Sequence, residues 1–246
     1  MKVQSSITAV VPVFNEEKYL RSTFETLEKA RQLTGVLFPI IFIDDASDDS
    51  TPSILKEISK SQLIQIVSRN SNGGIGAALR NGIFQVETDK FFIVPGDNDL
   101  AVEAICSLVE ARDLSEMVIG FYPSQSISRP RYRILISRMY TRLINKLTNS
   151  HLPYVNCPGV YRTEYAKSIS FSRSGHVFVA ELSTKILHKS TTLSLIPLKT
   201  NSSTFENGDS LRIQTLKELV IFVFELLFGP SKWIRKMPEA KMIVEK

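Results

Sequence analysis

The alternation of short apolar runs with helical patterns constrains the fold of this 246-residue chain more than any other feature. The runs are rich in valine and isoleucine and span residues 7–13, 39–43, 63–67, 91–94 and 117–120. Between them, apolar residues recur at helical spacing over residues 16–30, 52–59, 75–86 and 102–111. This alternation is typical of α/β domains, in which helices cover a mostly parallel sheet. We therefore predict a Rossmann-like sheet flanked by helices.

The pattern changes after residue 120. It predicts a basic helix over residues 131–148, a helix near 178–189, a strand near 192–197 and a final apolar, amphipathic helix. We expect one domain over residues 1–212, followed by this C-terminal helix and a basic tail over residues 213–246. Trp233 stands among basic residues in the tail, so the end of the chain is expected either to touch a membrane interface or to dock over the core.

Cysteines and apolar segments give little sign of a secreted or membrane-spanning protein. Cys106 and Cys157 lie far apart without CxxC spacing, so neither a disulfide framework nor a zinc site is expected. The first apolar run leads into Asn-Glu-Glu and is interpreted as a strand, not as a signal peptide. No run approaches the roughly 20 apolar residues that span a bilayer. We expect a cytoplasmic protein that is soluble or peripheral to a membrane.

Charge is distributed unevenly along the chain. Residues 1–116 carry 11 basic and 17 acidic residues, whereas residues 117–246 carry 19 basic and 8 acidic residues. The stretch from Met117 to Thr163 holds seven basic residues and no acid. Such a field attracts phosphate groups, although a basic face can also serve solubility alone.

Two groups of carboxylates follow apolar runs of the predicted sheet. The first group, after the second run, comprises Asp44, Asp45, Asp48 and Asp49; the second group, after the fourth run, comprises Asp97 and Asp99. Ligands of open parallel sheets collect outside the carboxyl ends of the strands, so both groups should border one crevice. The alternative is a pair of solvated turns, since aspartate is common where strands end.

The spacing of these residues suggests how they would bind a ligand. Asp97 and Asp99 flank one residue, so both can reach one divalent cation that keeps positions open for phosphate oxygens. Asp44 and Asp45 are expected to face the base and ribose of a nucleotide. The glycine-rich segment after the third run, "NGGIG" from Asn72 to Gly76, opens a helix. Its missing side chains are expected to let a ligand approach closely.

Four segments in this order resemble the family 2 inverting glycosyltransferases of GT-A fold: "VVPVFNEEKYL", "FIDDASDDST", "NSNGGIGAALRNGI" and "VPGDNDL". The chain looks most similar to the branch of dolichyl-phosphate mannosyltransferases and polyprenyl-phosphate glycosyltransferases. Segments of the second half, "RYRILISRMYTRLIN", "CPGVYRTE" and "GHVFVAEL", follow in the order expected for that branch. The order and spacing of several motifs are more specific than any single motif.

The resemblance implies roles for individual residues. The nucleotide-sugar site would comprise Pro12, Phe14, Asn15, Glu16, Asp44, Asp45, Asn72, Gly74, Gly76 and Asp97. Asp97 and Asp99 would hold the metal, Mg²⁺ or Mn²⁺, and act in catalysis together with Glu181. Arg133 and Ser137 would meet an acceptor phosphate. The branch has a polar, metal-coordinating residue where this chain has Ala101, and it has arginines after the fifth strand and near residue 205 that are missing here.

These observations together predict a metal-dependent enzyme that moves a sugar from a nucleotide-sugar to a polyprenyl phosphate at the cytoplasmic face of a membrane. No nucleic-acid partner is expected. One alternative is transfer to a glycan hydroxyl, for which Glu181 or a neighbour would be the base. Another is a non-catalytic module that binds nucleotide-sugars or glycans.

Overall fold

A computed structural model describes residues 7–122, 131–175, 177–198, 213–228 and 243–244. The first half contains strands β1 (Ile7–Val13), β2 (Ile40–Asp44), β3 (Ile64–Ser68), β4 (Lys90–Ile93) and β5 (Met117–Phe121). It also contains helices α1 (Leu20–Thr34), α2 (Thr51–Ile58), α3 (Ile75–Gln85) and α4 (Val102–Glu110). The second half contains α5 (Arg131–Thr148), β6 (Gly159–Arg162), α6 (Thr163–Lys167), α7 (Val177–Leu187), β7 (Leu193–Pro197), α8 (Ile213–Phe228) and β8 (Ile243–Val244).

The strands form one mostly parallel sheet, as the sequence predicts. Their order is β3-β2-β1-β4-β6-β5-β7-β8, in which β8 contributes only two residues. Strand β6 runs antiparallel to both of its neighbours, β4 and β5. The sequence pattern misses β6 and α6, because the four residues Gly159–Arg162 begin at the glycine of Cys-Pro-Gly and are too few to establish a period.

Helices pack on both faces of the sheet. The core on one face joins α1, α2 and α4 to strand residues such as Ala9 and Val11. The core on the other face joins α3, α5, α6, α7 and α8 to residues such as Val10 and Ile43. All seven residues of β1 are buried, which explains why its sequence is a continuous apolar run and not an alternation.

Close packing of α3 fixes where its N-terminus lies. A Cβ added to Gly82 would meet the Ile43 side chain at 2.5 Å and the Val10 side chain at 2.8 Å, so only glycine allows this approach to the sheet. The glycine-rich segment before α3 is consequently held beside the carboxyl ends of β1 and β2.

Helix α1 begins at Leu20, and not at residue 16 as its periodicity suggests. The backbone amide of Glu16 donates to the Thr51 hydroxyl at 2.9 Å, and the amide of Glu17 donates to the Asp49 carboxylate at 3.1 Å. Because these amides bind the loop after β2, the residues before Leu20 form a loop that crosses the ends of both strands.

The final helix packs against the domain. Helix α8 contacts α5 and α7, and Phe222 is buried among residues of the core. This packing agrees with the docked alternative for residues 213–228, whereas Trp233 lies outside the described residues. Among the described helices, none is both long and apolar enough to cross a bilayer.

Candidate functional site

Four loops meet at the carboxyl edge of the sheet. The loop after β1 contacts the loop after β2, where the Asn15 amide donates to the Ser47 hydroxyl at 3.0 Å. The loop after β2 contacts the glycine-rich segment through Asp45. The loop after β4 contacts the end of β1, since a Cβ on Gly96 would meet the Pro12 carbonyl oxygen at 2.8 Å. The structure thus brings the two predicted carboxylate groups to one rim.

The Asp45 carboxylate lies at the centre of one side of this rim. Its Oδ2 accepts hydrogen bonds from the amides of Gly74 at 2.8 Å and Gly73 at 3.2 Å. It also forms an ion pair with Arg69. The residue is only 2% exposed, so this negative charge is stabilised almost entirely by protein groups. Asn72, also assigned to the nucleotide site, accepts from the Gly74 amide at 3.0 Å.

Gly74, which precedes α3, and Gly76, in its first turn, lack side chains because the protein packs closely against them. The sequence predicts close approach of a ligand at these positions. Gly74 has a positive φ of 83°, and a Cβ there would meet the Ser174 carbonyl oxygen at 2.8 Å. A Cβ on Gly76 would meet Cβ of Phe178 at 2.7 Å. The segment before α7 therefore closes against the start of α3 and occupies the space that side chains would fill.

Three of the four aspartates at the end of β2, namely Asp44, Asp48 and Asp49, form hydrogen bonds that hold the loop in its conformation. Asp44 accepts from the Ser47 amide at 3.0 Å, and Asp48 accepts from the Asn15 side-chain amide at 2.7 Å. Asp49 accepts from the amides of Thr51 and Glu17. Burial alone would raise the pKa of Asp49, but these hydrogen bonds lower it below its usual value. Of the four aspartates, Asp45 is the one that faces the glycine-rich segment.

A second group of charges surrounds Glu16. Burial, together with the negative charges of Asp97 and Asp49, raises the pKa of Glu16 from its usual 4.5 to about 7, and burial is the largest of these causes. Glu16 is therefore close enough to both aspartates for their charges to oppose its ionisation. A cation at this rim would relieve that repulsion.

Helix α1 holds the turn that carries Asp97 and Asp99. The Thr23 hydroxyl donates to the Gly96 carbonyl oxygen at 2.7 Å, and the Thr26 hydroxyl donates to Oδ1 of Asn98 at 2.9 Å. Within the turn, the Asp99 amide donates to Oδ1 of Asp97 at 3.1 Å. Sequence reasoning missed both threonines, although their i, i+3 spacing places them on one face of α1.

The donor set of this turn fits a divalent cation whose coordination is completed by substrate. Asp97 is exposed and Asp99 is partly buried. Among the described residues, no group of three histidine, cysteine, aspartate or glutamate side chains could hold a metal by itself. Mg²⁺ is commonly held by one or two carboxylates together with substrate phosphates and water, which matches a site with two carboxylates.

The remaining nucleotide-site predictions fall at the start of the same rim. Pro12 is buried in β1, and Phe14 is exposed in the loop that follows. Asn15 uses its side chain within the loop, because its Oδ1 accepts from the Asp48 amide at 3.0 Å. Phe14 is thus available to line a cleft, whereas Pro12 is enclosed in the sheet and Asn15 shapes the loop.

The acceptor residues predicted in α5 are described only in part. Arg133 lies in the first turn of α5, and its side chain is outside the described residues. Ser137 is half-buried, and Thr141 and Ile144, which are buried on the same helix, mark the side that faces the core. The structure therefore places Ser137 towards the core side of α5.

Glu181 lies on α7 and is fully buried. Its carboxylate accepts from the backbone amides of Ser172 and Arg173, each at 3.1 Å, and forms an ion pair of 2.5 Å with Lys185. These contacts fix the segment that leads to Ser174, the residue that packs against Gly74 and Gly76. The geometry argues for a positioning role and against the role of general base.

One cavity of about 390 Å³ lies away from this rim. It is lined by residues before β4, at the end of β6 and in α6, including Asp89, Arg162 and Lys167. Because Lys90 begins β4 and Asp97 follows its end, the cavity and the acidic rim lie at opposite edges of the sheet. We therefore locate the functional site at the acidic rim, because its carboxylates can bind a nucleotide and a cation.

Comparison with known proteins identifies the family. Residues 8–169, which include Asp45, the glycine-rich segment and Asp97, match the sequence profile of Glycosyl transferase family 2. A dolichol-phosphate mannosyltransferase from Pyrococcus furiosus is 27% identical over 136 residues, which are 54% of this chain and 38% of that protein. An undecaprenyl-phosphate 4-deoxy-4-formamido-L-arabinose transferase from Edwardsiella ictaluri is 25% identical over 224 residues, which are 90% of this chain and 66% of that protein.

Solved structures show the same fold. Glucosyl-3-phosphoglycerate synthase from Mycobacterium tuberculosis, in complex with uridine diphosphate, superposes with a TM-score of 0.70 at 17% identity and covers 93% of this chain and 82% of its own. TarS from S. aureus superposes with a TM-score of 0.58 at 16% identity, over 90% of this chain and 65% of its own. At these identities the likeness shows the fold alone, and it confirms the predicted GT-A architecture.

The chain spans between 38% and 66% of the length of the two curated relatives. Within that span, the family match extends from β1 to the residues after α6 and so includes every loop of the acidic rim. The profile match covers well over half of the chain, and the chain therefore belongs to Glycosyl transferase family 2.

Proposed function

We propose that this chain is a metal-dependent, inverting glycosyltransferase that moves a sugar from a nucleotide-sugar to a polyprenyl phosphate at the cytoplasmic face of a membrane. The observation that carries the proposal is the meeting of Asp45, Glu16 and the 97–99 turn at one rim of the sheet. Carboxylates on one side of such a rim suit a nucleoside, and those on the other side suit a cation bound to its diphosphate.

The nucleoside would bind at Asp45. A carboxylate offers about four lone-pair sites, so Asp45 can keep its bonds from Gly73 and Gly74 and still accept an N–H from a base. Arg69 pairs with Asp45 in the present structure and would either turn aside or share the carboxylate. The amides and Arg69 hold the Asp45 carboxylate in place before the donor arrives.

Asp97 and Asp99 would hold the divalent cation, with Glu16 beside them. When bound, this ion supplies positive charge that stabilises the nucleoside diphosphate as it leaves. Thr23 and Thr26 hold the turn in position, which lets Asp97 and Asp99 bind without a large rearrangement of the loop. One solved structure of the mycobacterial synthase contains Mn²⁺ together with uridine diphosphate and its glucosylated product, in agreement with this chemistry.

The acceptor would attack the anomeric carbon directly. A phosphate oxygen forms the new bond to carbon while the bond from carbon to the diphosphate oxygen breaks, so the configuration inverts. A phosphate monoester is already anionic at neutral pH, and this step needs no general base. Arg133 and Ser137 would orient it from α5. The names of both curated relatives include a polyprenyl phosphate, which favours this acceptor class.

The competing transfer to a glycan hydroxyl requires a base to remove a proton. The carboxylate expected to do so, Glu181, has its oxygens engaged by Ser172, Arg173 and Lys185. A general base must reach the substrate, whereas Glu181 is buried and paired with Lys185. We therefore favour the phosphate acceptor.

The test starts with a thermal-shift screen of nucleotide-sugars with and without Mn²⁺, because a ligand that binds the folded state raises its stability. The best donor is then incubated with polyprenyl phosphate, and transfer of labelled sugar is measured for the wild type and for Asp97→Asn. We expect Asp97→Asn to reduce transfer by at least about a hundredfold. Asp113→Asn, an exposed acid before β5, is the matched control and should retain full activity.

Three results would contradict the proposal in different ways. Full activity of Asp97→Asn would reject the metal site. Transfer to glycan hydroxyls, with none to lipid phosphate, would favour the competing acceptor. Donor binding with neither transfer nor slow hydrolysis would indicate a non-catalytic binding module.

A further inference from the structure

Helix α5 presents an apolar stripe to solvent. Leu135, Ile136, Met139 and Leu143 are between 41% and 59% exposed, whereas Ile144 on the opposite side of the helix is buried. Residues 135, 139 and 143 follow one another at intervals of four and therefore lie along one face. Large apolar side chains on this face therefore remain about half exposed to solvent.

Helix α8 presents a second apolar face. Val220, Ile221 and Phe224 are between 49% and 67% exposed, and Phe222 on the other side is buried in the core. Helices α5 and α8 contact each other on the same face of the sheet, so their outward sides adjoin. We call the seven exposed residues of the two helices the α5/α8 surface.

Basic residues flank this surface. Arg138, Arg142 and Lys146 are exposed on α5 at intervals of four residues, and α5 contains no acidic residue. On the described part of α8, Lys217 is exposed, and the Glu218 carboxylate lies inwards against Gly175. The arrangement combines an apolar stripe with an adjacent row of positive charge.

We infer that the α5/α8 surface docks on a bilayer that contains anionic lipid. An apolar stripe beside a basic row is the composition of helices that lie in the interface plane, with apolar side chains among the acyl chains and basic ones at the headgroups. Anionic headgroups attract such a row by roughly 1 kcal/mol for each basic side chain near the surface. Exposed apolar patches of this kind are uncommon on soluble monomers.

Charge favours a bilayer over a second copy of the chain. A two-fold interface through this surface would bring the same patch of both copies together, including the row Arg138, Arg142 and Lys146. Like charges that meet across an interface oppose association. An anionic bilayer complements the same row, and for that reason we assign the surface to lipid.

This inference extends the proposed function, on which it rests for the nature of the acceptor. Ser137 lies on the core-facing side of the helix whose outward side carries Met139. Docking through α5 would hold the predicted acceptor residue close to the headgroup layer, where the phosphate of a polyprenyl phosphate lies. Binding to vesicles does not depend on catalysis and can be measured without donor or acceptor.

The experiment measures sedimentation of the full chain with phosphatidylcholine vesicles that contain 30% phosphatidylglycerol or none, at low and high salt. We expect the wild type to bind the anionic vesicles and to lose most of this binding at high salt, because salt screens the basic row. A variant with both Met139→Gln and Phe224→Gln should bind about tenfold more weakly. A variant with both Arg138→Gln and Arg142→Gln should lose the preference for anionic lipid.

Two control variants keep the test specific. Leu33→Gln with Phe84→Gln removes two apolar side chains that are 62% and 55% exposed away from this surface, and Lys56→Gln with Lys60→Gln removes two exposed charges near α2. Both should bind vesicles like the wild type. Equal losses in the controls, no binding by the wild type, or a dimer in solution that Met139→Gln with Phe224→Gln dissociates would overturn the inference.

The vesicle result and the transfer assay separate the two proposals. Vesicle binding without transfer would retain the docking surface and reject the proposed reaction. Transfer to a short-chain, water-soluble acceptor phosphate without vesicle binding would retain the reaction and reject the docking surface. The Met139→Gln and Phe224→Gln variant should keep its activity on the soluble acceptor.

Discussion

The amide of Gly74 donates a hydrogen bond to Oδ2 of Asp45 at 2.8 Å, and this contact joins the start of α3 to the end of β2. The Ser174 carbonyl oxygen packs against Gly74, so a larger side chain there would collide with it, and it accepts a hydrogen bond from the Gly76 amide at 2.6 Å. The segment around Ser174 is fixed in turn by Glu181 through Ser172 and Arg173. The position of the predicted base-binding carboxylate therefore depends on packing in the second half of the chain.

Replacing Asp45 by asparagine should weaken donor binding. Asparagine keeps the shape but offers one acceptor oxygen and no charge, so it loses bonds to the glycine amides and leaves Arg69 without its ion pair. Hydrogen bonds to charged groups contribute about 1.5–3 kcal/mol, which corresponds to a dissociation constant raised by roughly 10- to 100-fold. Calorimetric titration with the donor found in the thermal-shift screen measures this dissociation constant.

The matched control for this prediction is Asp48→Asn in the same loop. Asp48 accepts from the side-chain amide of Asn15, and asparagine retains an oxygen that can accept that bond. Donor affinity should change by less than about twofold, because this bond folds the loop and does not face the glycine segment. Equal weakening by both substitutions would mean that Asp45 acts only through the fold of the loop.

Stability should fall as pH rises through the titration of Glu16. Its pKa is about 7 in the folded protein, against a usual 4.5, so between these values the folded state holds a proton that the unfolded state has released. Removing that charge by Glu16→Gln should stabilise the protein at pH 8 and change little at pH 4. We expect about 1 kcal/mol, after allowing for screening by solvent at this partly exposed group.

Thermal unfolding of both proteins between pH 4 and pH 8 measures this difference, expected as about 2–4 °C at pH 8. Glu25→Gln, which removes the same charge from an exposed residue on α1, serves as the control. Mn²⁺ should reduce the advantage of the Gln variant at pH 8, since a cation beside Asp97 offsets the same repulsion. A difference between wild type and variant that is constant over the whole pH range would contradict the prediction.

The sequence predicts the sheet and its ligand-binding edge well, because both follow from local patterns. Strand β1 is found at the predicted residues, and Asp45 and Asp97 both follow parallel strands that end at the same edge. Strand β6 could not be predicted in this way, since it is four residues long and its place between β4 and β5 depends on antiparallel pairing across the chain. The helix over residues 131–148 follows from its apolar period, and the structure has it at the same residues.

Side-chain roles at the rim depend on contacts between distant residues, which the sequence does not show. Asp44 and Asp49 look equivalent to Asp45 in the printed chain, but their oxygens bind amides of their own and the preceding loop. Thr26 lies 72 residues from Asn98 and carries no local signal of the bond between them. An acidic motif therefore indicates where a site lies, whereas contacts between distant residues decide which segments each carboxylate joins.

Thr26 should affect the affinity for the metal although it does not contact the metal. Replacing it by valine removes the hydroxyl that holds Asn98, which sits between Asp97 and Asp99. A lost hydrogen bond of this type costs about 1 kcal/mol, so we expect metal affinity to fall about fivefold while affinity for the free nucleoside is unchanged. Mn²⁺ titration in the presence of donor measures the change. Thr26→Ser should restore the wild-type affinity.

Thr34→Val is the matched control for this prediction, because the Thr34 hydroxyl bonds the Ala30 carbonyl oxygen on the same helix but far from the turn. It should leave metal affinity unchanged even if it alters stability. If the Thr34 and Thr26 variants weaken metal binding equally, the effect arises from a general destabilisation of α1 and not from the position of the 97–99 turn.

Glu181 distinguishes a structural carboxylate from a catalytic one. Glu181→Gln removes the negative partner of Lys185, whose side chain is only 14% exposed, and breaking such a buried pair destabilises a protein by about 3 kcal/mol. We expect a lower melting temperature and an unchanged pH profile of kcat/KM. Combining Glu181→Gln with Lys185→Met removes both charges and should recover most of the stability. Normal stability of Glu181→Gln together with loss of the low-pH limb of the profile, where a general base becomes protonated, would instead identify Glu181 as the general base and favour transfer to a hydroxyl.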